Sequence, residues 1–139
     1  MCEEKRVLYF IDSERSSREK FRTSIREHLD ESTIRFFANC SEALHELNEA
    51  RKYNFPQLIM CSDNMPDLEG WEFLRKLRGE SNRNFTPVII FARAGSLCRL
   101  TEAYEYGANS YLILPEQEDK YRKMVDCVFS YWIETVLTP

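Results

Sequence analysis

The sequence has no apolar run long enough to cross a membrane and no cluster of basic residues. Its 19 Lys and Arg residues are interspersed with 23 Asp and Glu residues, which gives a formal net charge of −4. This distribution leaves no basic stripe for a nucleic-acid backbone. Residues 1–6 lack the apolar core of a signal peptide. We therefore expect a cytoplasmic protein with neither a nucleic-acid nor a membrane partner.

The sequence also lacks the motifs that carry catalysis or cofactor binding. It has no Gly-rich phosphate loop, and neither His28 nor His45 lies near a predicted strand end, where it would activate a nucleophile. The five cysteines form no CxxC pair and no Cys/His metal pattern; they are Cys2, Cys40, Cys61, Cys98 and Cys127. We interpret them as small hydrophobic residues in a reducing compartment. The sequence therefore predicts no enzyme, catalytic residue, metal or cofactor.

What the sequence does contain is a regular alternation of apolar and amphipathic segments. The apolar segments predict strands at about residues 7–11, 33–38, 58–61, 87–91 and 110–114. The amphipathic segments between them predict helices, and this rhythm implies right-handed crossovers. We expect one α/β domain over residues 1–139, with helices on both faces of a doubly wound, five-stranded parallel sheet.

The last helix, about residues 117–137, is predicted to be unusually long. It would span about 30 Å, whereas a strand of five or six residues spans about 18 Å, so it should extend beyond the sheet. It is apolar on a second side, which favours a partner surface and a possible homodimer. The surface that we predict comprises Tyr104, Tyr111, Phe129, Trp132, Ile133 and Val136. The alternative is a helix packed under loops of its own chain.

The segment Ser62-Asp63-Asn64-Met65-Pro66-Asp67-Leu68-Glu69-Gly70 resembles the turn of response-regulator receiver domains, which reads Asp-x-Asn-Met-Pro-x-x-Asp-Gly. Further family landmarks are Ile11-Asp12, Pro87, Gly107-Ala108, and Tyr111 followed by Leu114-Pro115. The resemblance implies a flavodoxin-like (βα)5 fold, a role in two-component phosphorelay signalling, and a sensor kinase or another signalling protein as partner. The long last helix is similar to that of single-domain regulators that partner bacterial phytochromes.

The chemistry of that family requires a carboxylate nucleophile, carboxylates that hold Mg²⁺, a hydroxyl and an ammonium group. The resemblance places Asp12 and Ser13 at the two acidic positions, Ser62 at the phosphoacceptor, Ala92 at the hydroxyl position and Leu114 at the lysine. Asp12 alone has the family's chemical group. We therefore predict a degenerate pocket in a pseudo-receiver that acts by protein–protein contact and is not phosphorylated on aspartate.

Two other functions remain open at this point. One is a conventional phosphoacceptor that uses Asp63 or the Asp12 region with Mg²⁺, although strand alternation should turn Asp63 away from the pocket. The other is a small α/β domain that binds a ligand or nucleotide. We also expect the bulky Arg93 to fill space that the family keeps open for the phosphoryl group. Tyr111 matches an aromatic residue that changes rotamer in the family, or it is plain packing.

The acidic residues around the turn offer a further alternative. Glu14, Asp67 and Glu69 are candidates for replacement metal ligands, but charged turn residues are most often solvated. We interpret these three side chains as solvated charges.

Overall fold

The computed structural model describes residues 7–49, 55–79, 85–93 and 99–136. Its five strands form one sheet in the order β2-β1-β3-β4-β5, and all pairings are parallel. The strands are β1 Leu8–Ile11, β2 Ile34–Phe37, β3 Leu58–Ser62, β4 Val88–Ala92 and β5 Ser110–Ile113. This architecture confirms the predicted doubly wound α/β fold.

Within the described ranges, five α-helices alternate with the strands. They are α1 Arg15–Ile25, α2 Cys40–Glu49, α3 Gly70–Arg78, α4 Leu100–Glu105 and α5 Glu118–Val128. A 3-10 turn, Glu31–Thr33, precedes β2, and a π-helical segment, Phe129–Thr135, continues α5. The last helix therefore reaches residue 135, and its predicted end at Leu137 lies outside the described residues.

Both faces of the sheet are covered, which explains why the strands read as continuous apolar runs. Tyr9 and Ile11 of β1 point into a core that is shared with α2, α3 and α4. Leu8 and Phe10 point into a second core, shared with α1 and α5. The ring of Phe10 stacks on Phe21 of α1, with centroids 4.2 Å apart, and on Phe91 of β4 at 5.1 Å. Through this aromatic stack, α1 packs against β1 and β4.

The cysteines within the described residues are free thiols, but they differ in burial. Cys40 and Cys61 are buried in the core on the α2 side, with their sulfur atoms 3.8 Å apart, as the interpretation as small hydrophobic residues requires. Cys127 is exposed, so that interpretation is wrong for this residue, which lies on the solvent side of α5. Cys2 and Cys98 lie outside the described residues.

The second apolar side of the last helix is largely covered by the chain itself. Phe129, Trp132 and Ile133 pack against the core beneath α1 and α5. The His28 ring stacks on Phe129 at 4.6 Å, and Gln57 Nε2 donates a hydrogen bond of 3.4 Å to the Ile133 carbonyl. For these three residues the structure therefore favours the alternative of packing under the same chain. In the described ranges, no helix has the length and apolar character needed to span a membrane.

Substitution of Phe10 tests the aromatic stack. Because Phe10 is fully buried between two rings, Phe10→Ala should lower the free energy of unfolding by about 3 to 5 kcal/mol. The matched control is Phe85→Ala, since Phe85 is 67% exposed and its loss should change stability by less than about 0.5 kcal/mol. Urea denaturation measures both effects, and equal losses would contradict this description of the core.

Candidate functional site

Strand register brings the predicted pocket residues together at one edge of the sheet. Parallel strands end at the same edge, and here Ile11 pairs with Cys61, Ser62 with Phe91, and Ala92 with Ile113. Asp12, Ser62, Ala92 and Leu114 all lie at this edge, and all four are buried. Ser13 is exposed. The structure thus assembles four of the five residues predicted for the degenerate pocket.

The Asp12 carboxylate, 1% exposed, lies beside a guanidinium group. Its Oδ1 accepts a hydrogen bond of 3.1 Å from the Glu14 backbone N–H, and its Oδ2 lies 3.8 Å from Arg93 Nη2. The same Arg93 nitrogen donates to Glu14 Oε1 at 2.8 Å. Arg18 donates to the main-chain oxygen of Asp12, also at 2.8 Å. Arg93 therefore reaches back over Asp12, as expected for a side chain that fills the pocket.

With the Arg93 guanidinium over Asp12 and Glu14, these residues do not fit the Mg²⁺ ion that the resemblance implies. Mg²⁺ binds oxygen ligands, mainly carboxylates and water. Ala92 and Leu114 have no side-chain oxygen, and the Ser62 hydroxyl accepts a hydrogen bond of 3.3 Å from the Asn64 backbone N–H. The remaining carboxylates, Asp12 and Glu14, face the Arg93 cation. Across the described part of the chain, no group of three or more His, Cys, Asp or Glu side chains could hold a metal ion.

The Tyr121 hydroxyl lies beneath the same group of charges. Its oxygen is buried and has no hydrogen-bond partner among the described residues. Burial raises the pKa of Tyr121, the negative charge of Asp12 raises it further, and the positive charge of Arg93 lowers it. Tyr121 therefore remains a neutral phenol, and both charges of the pocket act on it.

Asp63 lies on the other face of β3, as strand alternation predicts. Its Oδ2 accepts a hydrogen bond of 2.5 Å from the Tyr111 hydroxyl, and Tyr111 packs against the core on the α2 side. A Cβ atom on Gly70 would lie 2.9 Å from Asp63 Oδ1, so a glycine lets the turn cross this carboxylate closely. Burial raises the pKa of Asp63, although the Tyr111 hydrogen bond and the Arg99 charge oppose the shift. The Asp63 carboxylate therefore binds Tyr111 on the face of the sheet opposite to Asp12.

Asp67 is exposed, as its interpretation as a solvated charge requires, but its carboxylate also binds the start of α2. Its carboxylate accepts hydrogen bonds from the backbone N–H groups of Cys40, at 3.2 Å, and Ser41, at 2.8 Å, and from the Ser41 hydroxyl at 2.8 Å. The first turn of a helix leaves such N–H groups without intrahelical partners. Burial raises the pKa of Asp67, but these hydrogen bonds outweigh it and the net shift is downward.

Glu69 and Glu14 are not simply solvated either. Glu69 forms a capping box with Glu72 at the start of α3, accepts a hydrogen bond from Trp71 Nε1, and pairs with Arg99 at 3.0 Å. Glu14 is the partner of Arg93. The sequence offers the capping-box pattern for Glu69, whereas the partners of Asp67 and Glu14 lie 26 and 79 residues away along the chain.

The remaining turn residues differ in exposure. Asn64 and Pro66 face solvent, while the Gly70 backbone N–H donates to the Asp63 carbonyl at 3.3 Å and closes the turn. The predicted turn is thus ordered around its two carboxylates, Asp63 and Asp67.

The predicted partner surface is divided between two parts of the fold. Tyr104 is 50% exposed, and its hydroxyl oxygen accepts a hydrogen bond of 3.1 Å from the Tyr111 backbone N–H. Phe129, Trp132 and Ile133 belong to the core on the α1 and α5 side, and Val136 is half-buried. The exposed large apolar residues outside the predicted surface are Phe85, Leu100, Tyr106, Ile113 and Tyr131. Ile113 is exposed because β5 lies at the edge of the sheet, and the strand order establishes that position.

The model of the response regulator receiver domain family matches residues 8–126. The chain belongs to this family. The receiver-domain fold that membership implies therefore rests on both sequence and structure, while the state of the pocket depends on the residues described above.

Relatives and solved structures agree with this assignment. The chain is 27% identical to response regulator Rcp1 of Synechocystis sp. over 136 residues, which covers 96% of this chain and 92% of Rcp1. It is 26% identical to response regulator Rre1 of the same organism over 121 residues, covering 85% of this chain but about half, 49%, of Rre1. The phosphorylated cyanobacterial phytochrome response regulator RcpA superposes with a TM-score of 0.85 at 15% identity, covering 97% of this chain and 99% of RcpA. The last similarity supports the fold.

The environment of Asp63 should make stability depend on pH. A carboxyl with a raised folded pKa stabilises the folded state fully below its unfolded pKa of about 4, and this contribution is lost as the pH rises through the folded pKa. Asp63→Asn keeps an acceptor for Tyr111 but removes the charge. Its stability relative to wild type should therefore increase between pH 4 and neutrality, as measured by urea denaturation at each pH.

Asp67→Asn provides the matched control with the opposite sign. Because the folded pKa of Asp67 is lowered, its contribution is present above the unfolded pKa and is lost as the pH falls through the folded pKa. This variant should be less stable than wild type at neutral pH, and the deficit should shrink in acid. Parallel pH profiles for the two variants would contradict the assigned environments.

Proposed function

We propose that this chain is an atypical receiver domain of two-component signalling, a pseudo-receiver that acts by protein–protein contact in the cytoplasm and is not phosphorylated on aspartate. One observation carries the proposal: the Arg93 guanidinium lies over Asp12 and Glu14, at the edge where Ser62, Ala92 and Leu114 provide neither nucleophilic carboxylate nor phosphate-binding group. Membership of the receiver family supplies the signalling context.

Phosphoryl transfer at this edge would lack both its acceptor and its charge compensation. An alcohol such as Ser62 needs a base to activate it. The buried Leu114 offers no cation for the incoming phosphoryl oxygens, and leaving such charges without partners in a partly dry pocket is costly. Asp63 does not rescue the reaction, because its carboxylate is bonded to Tyr111 on the opposite face.

The proposed partner is a sensor kinase or another signalling protein. The contact that we propose lies on the α4–β5 surface, which we define by Leu100, Tyr104 and Ile113, all exposed apolar residues on adjacent elements. A second copy of the chain is one possible occupant, which would make a homodimer. RcpA is described as a phytochrome response regulator, which favours a phytochrome-type kinase as the partner class. Since Phe129 and Trp132 pack within the chain, the last helix contributes chiefly through the exposed Tyr131.

A small phosphodonor tests the absence of aspartyl phosphorylation. The wild-type chain, incubated with Mg²⁺ and acetyl phosphate, should keep its mass, because no carboxylate lies at the acceptor position. Intact mass spectrometry provides the measurement. A gain of one phosphoryl group on an aspartate would refute the proposal.

A variant with the missing groups restored serves as the positive control for this experiment. It combines Ser13→Asp, Ser62→Asp, Ala92→Thr, Arg93→Ala and Leu114→Lys, which supplies the second acidic residue, the acceptor carboxylate, the hydroxyl and the ammonium and removes the guanidinium. This variant should gain the mass of one phosphoryl group under the same conditions.

Self-association tests the homodimer on the α4–β5 surface. Ile113→Arg adds a charge to an exposed apolar position, so it should weaken a dimer formed there by about tenfold or more, equivalent to about 1.4 kcal/mol. Phe85→Arg adds the same charge at an exposed aromatic residue outside this surface and should leave the dimer unchanged. Sedimentation velocity over a range of concentrations measures both constants. A wild-type chain that stays monomeric, or equal effects of the two variants, would exclude this homodimer.

A further inference from the structure

We infer that the Arg93 guanidinium is a built-in cation that takes the place of a divalent metal ion in this pocket and keeps such ions out. This inference deepens the proposed function and rests on its assignment of the pocket as degenerate. The observation behind it is that this receiver domain retains the carboxylate of Asp12, and that the positive charge beside this carboxylate is the guanidinium of Arg93.

Burial of Asp12 creates the need for this cation. The carboxylate is 1% exposed, and its Oδ2 has no hydrogen-bond partner within the described residues. A buried charge needs a partner of opposite sign, because water no longer stabilises it. Arg93 Nη2, 3.8 Å away, is the cationic group that faces this oxygen. Arg18 is also close, but its guanidinium is engaged by the main-chain oxygen of Asp12.

The second contact of Arg93 fixes where the guanidinium lies. Nη2 donates to Glu14 Oε1 at 2.8 Å, so a single nitrogen lies between two carboxylates. Both Arg93 and Glu14 are about half exposed, so this ion pair by itself stabilises little. Its effect is positional, because it holds the cation over the buried Asp12.

A divalent cation would need this same position. The two acidic side chains available at the edge are Asp12 and Glu14, and both already face the guanidinium. Like charges repel at such short range, so a metal ion binds only after Arg93 has left.

Removal of the guanidinium should create a metal site. Arg93→Ala should bind Mn²⁺ at least about tenfold more tightly than wild type, a difference of about 1.4 kcal/mol in binding free energy. Electron paramagnetic resonance of free Mn²⁺ at constant ionic strength measures the affinity. Arg93→Gln, which removes the charge but keeps a polar side chain, should show the same gain and replaces Arg93→Ala if that variant does not fold. Arg93→Lys retains a cation and should behave as wild type.

Two controls make this result specific. Arg26→Ala causes the same change in net charge at a surface pair with Glu31, 3.8 Å apart, and should gain no Mn²⁺ binding. Adding Asp12→Asn to Arg93→Ala should abolish the gain. The inference fails if Arg93→Ala and Arg93→Gln bind Mn²⁺ no better than wild type, or if the gain survives loss of the Asp12 charge. A wild-type chain that resists phosphorylation would still support the proposed function in that case, so the two failures are distinguishable.

Discussion

The buried carboxylate of Asp12, at the end of β1, is the constraint on which this edge of the sheet depends. A charge in this position must be compensated, and it receives one backbone N–H and the guanidinium of Arg93. Asp63 poses the same problem on the opposite face, but its solution is different. There a neutral phenol, Tyr111, donates to the carboxylate, and burial shifts the pKa upward. The two carboxylates lie on opposite faces of the sheet and belong to separate networks of hydrogen bonds and ion pairs.

The sequence predicted the elements of this edge better than their partners. Continuous apolar runs identified the strands, and strand alternation put Asp63 on the face away from Asp12, where it is found. Periodicity contains no information about long-range pairs. The bonds that join Asp63 to Tyr111, 48 residues away, and Asp67 to the start of α2 depend on strand order and loop path. Arg93 was expected to fill the pocket because it follows β4, but its pairing with Glu14 required coordinates.

The last helix shows that periodicity identifies an apolar side but not what covers it. The second apolar side was derived from a period of 3.6 residues, which holds for α5 as far as Val128. From Phe129 onward the chain is π-helical, and the Val136 N–H bonds to the Tyr131 carbonyl five residues earlier. Trp132 and Ile133 pack against the protein's own core, and Tyr131 is left in solvent. Which neighbour covers an apolar side depends on the tertiary fold, and a helical period does not contain that information.

The contacts of Tyr111 explain how a receiver surface is maintained without the chemistry of the pocket. Its hydroxyl donates to Asp63, and its backbone N–H donates to the hydroxyl oxygen of Tyr104 on the α4–β5 surface. Neither bond involves Asp12, Ser62 or Arg93. The Tyr111 side chain is thus held inward by the carboxylate next to the acceptor position, while its main chain positions an exposed aromatic residue. These two bonds position the surface without a contact to the pocket, as the proposed contact-based signalling requires.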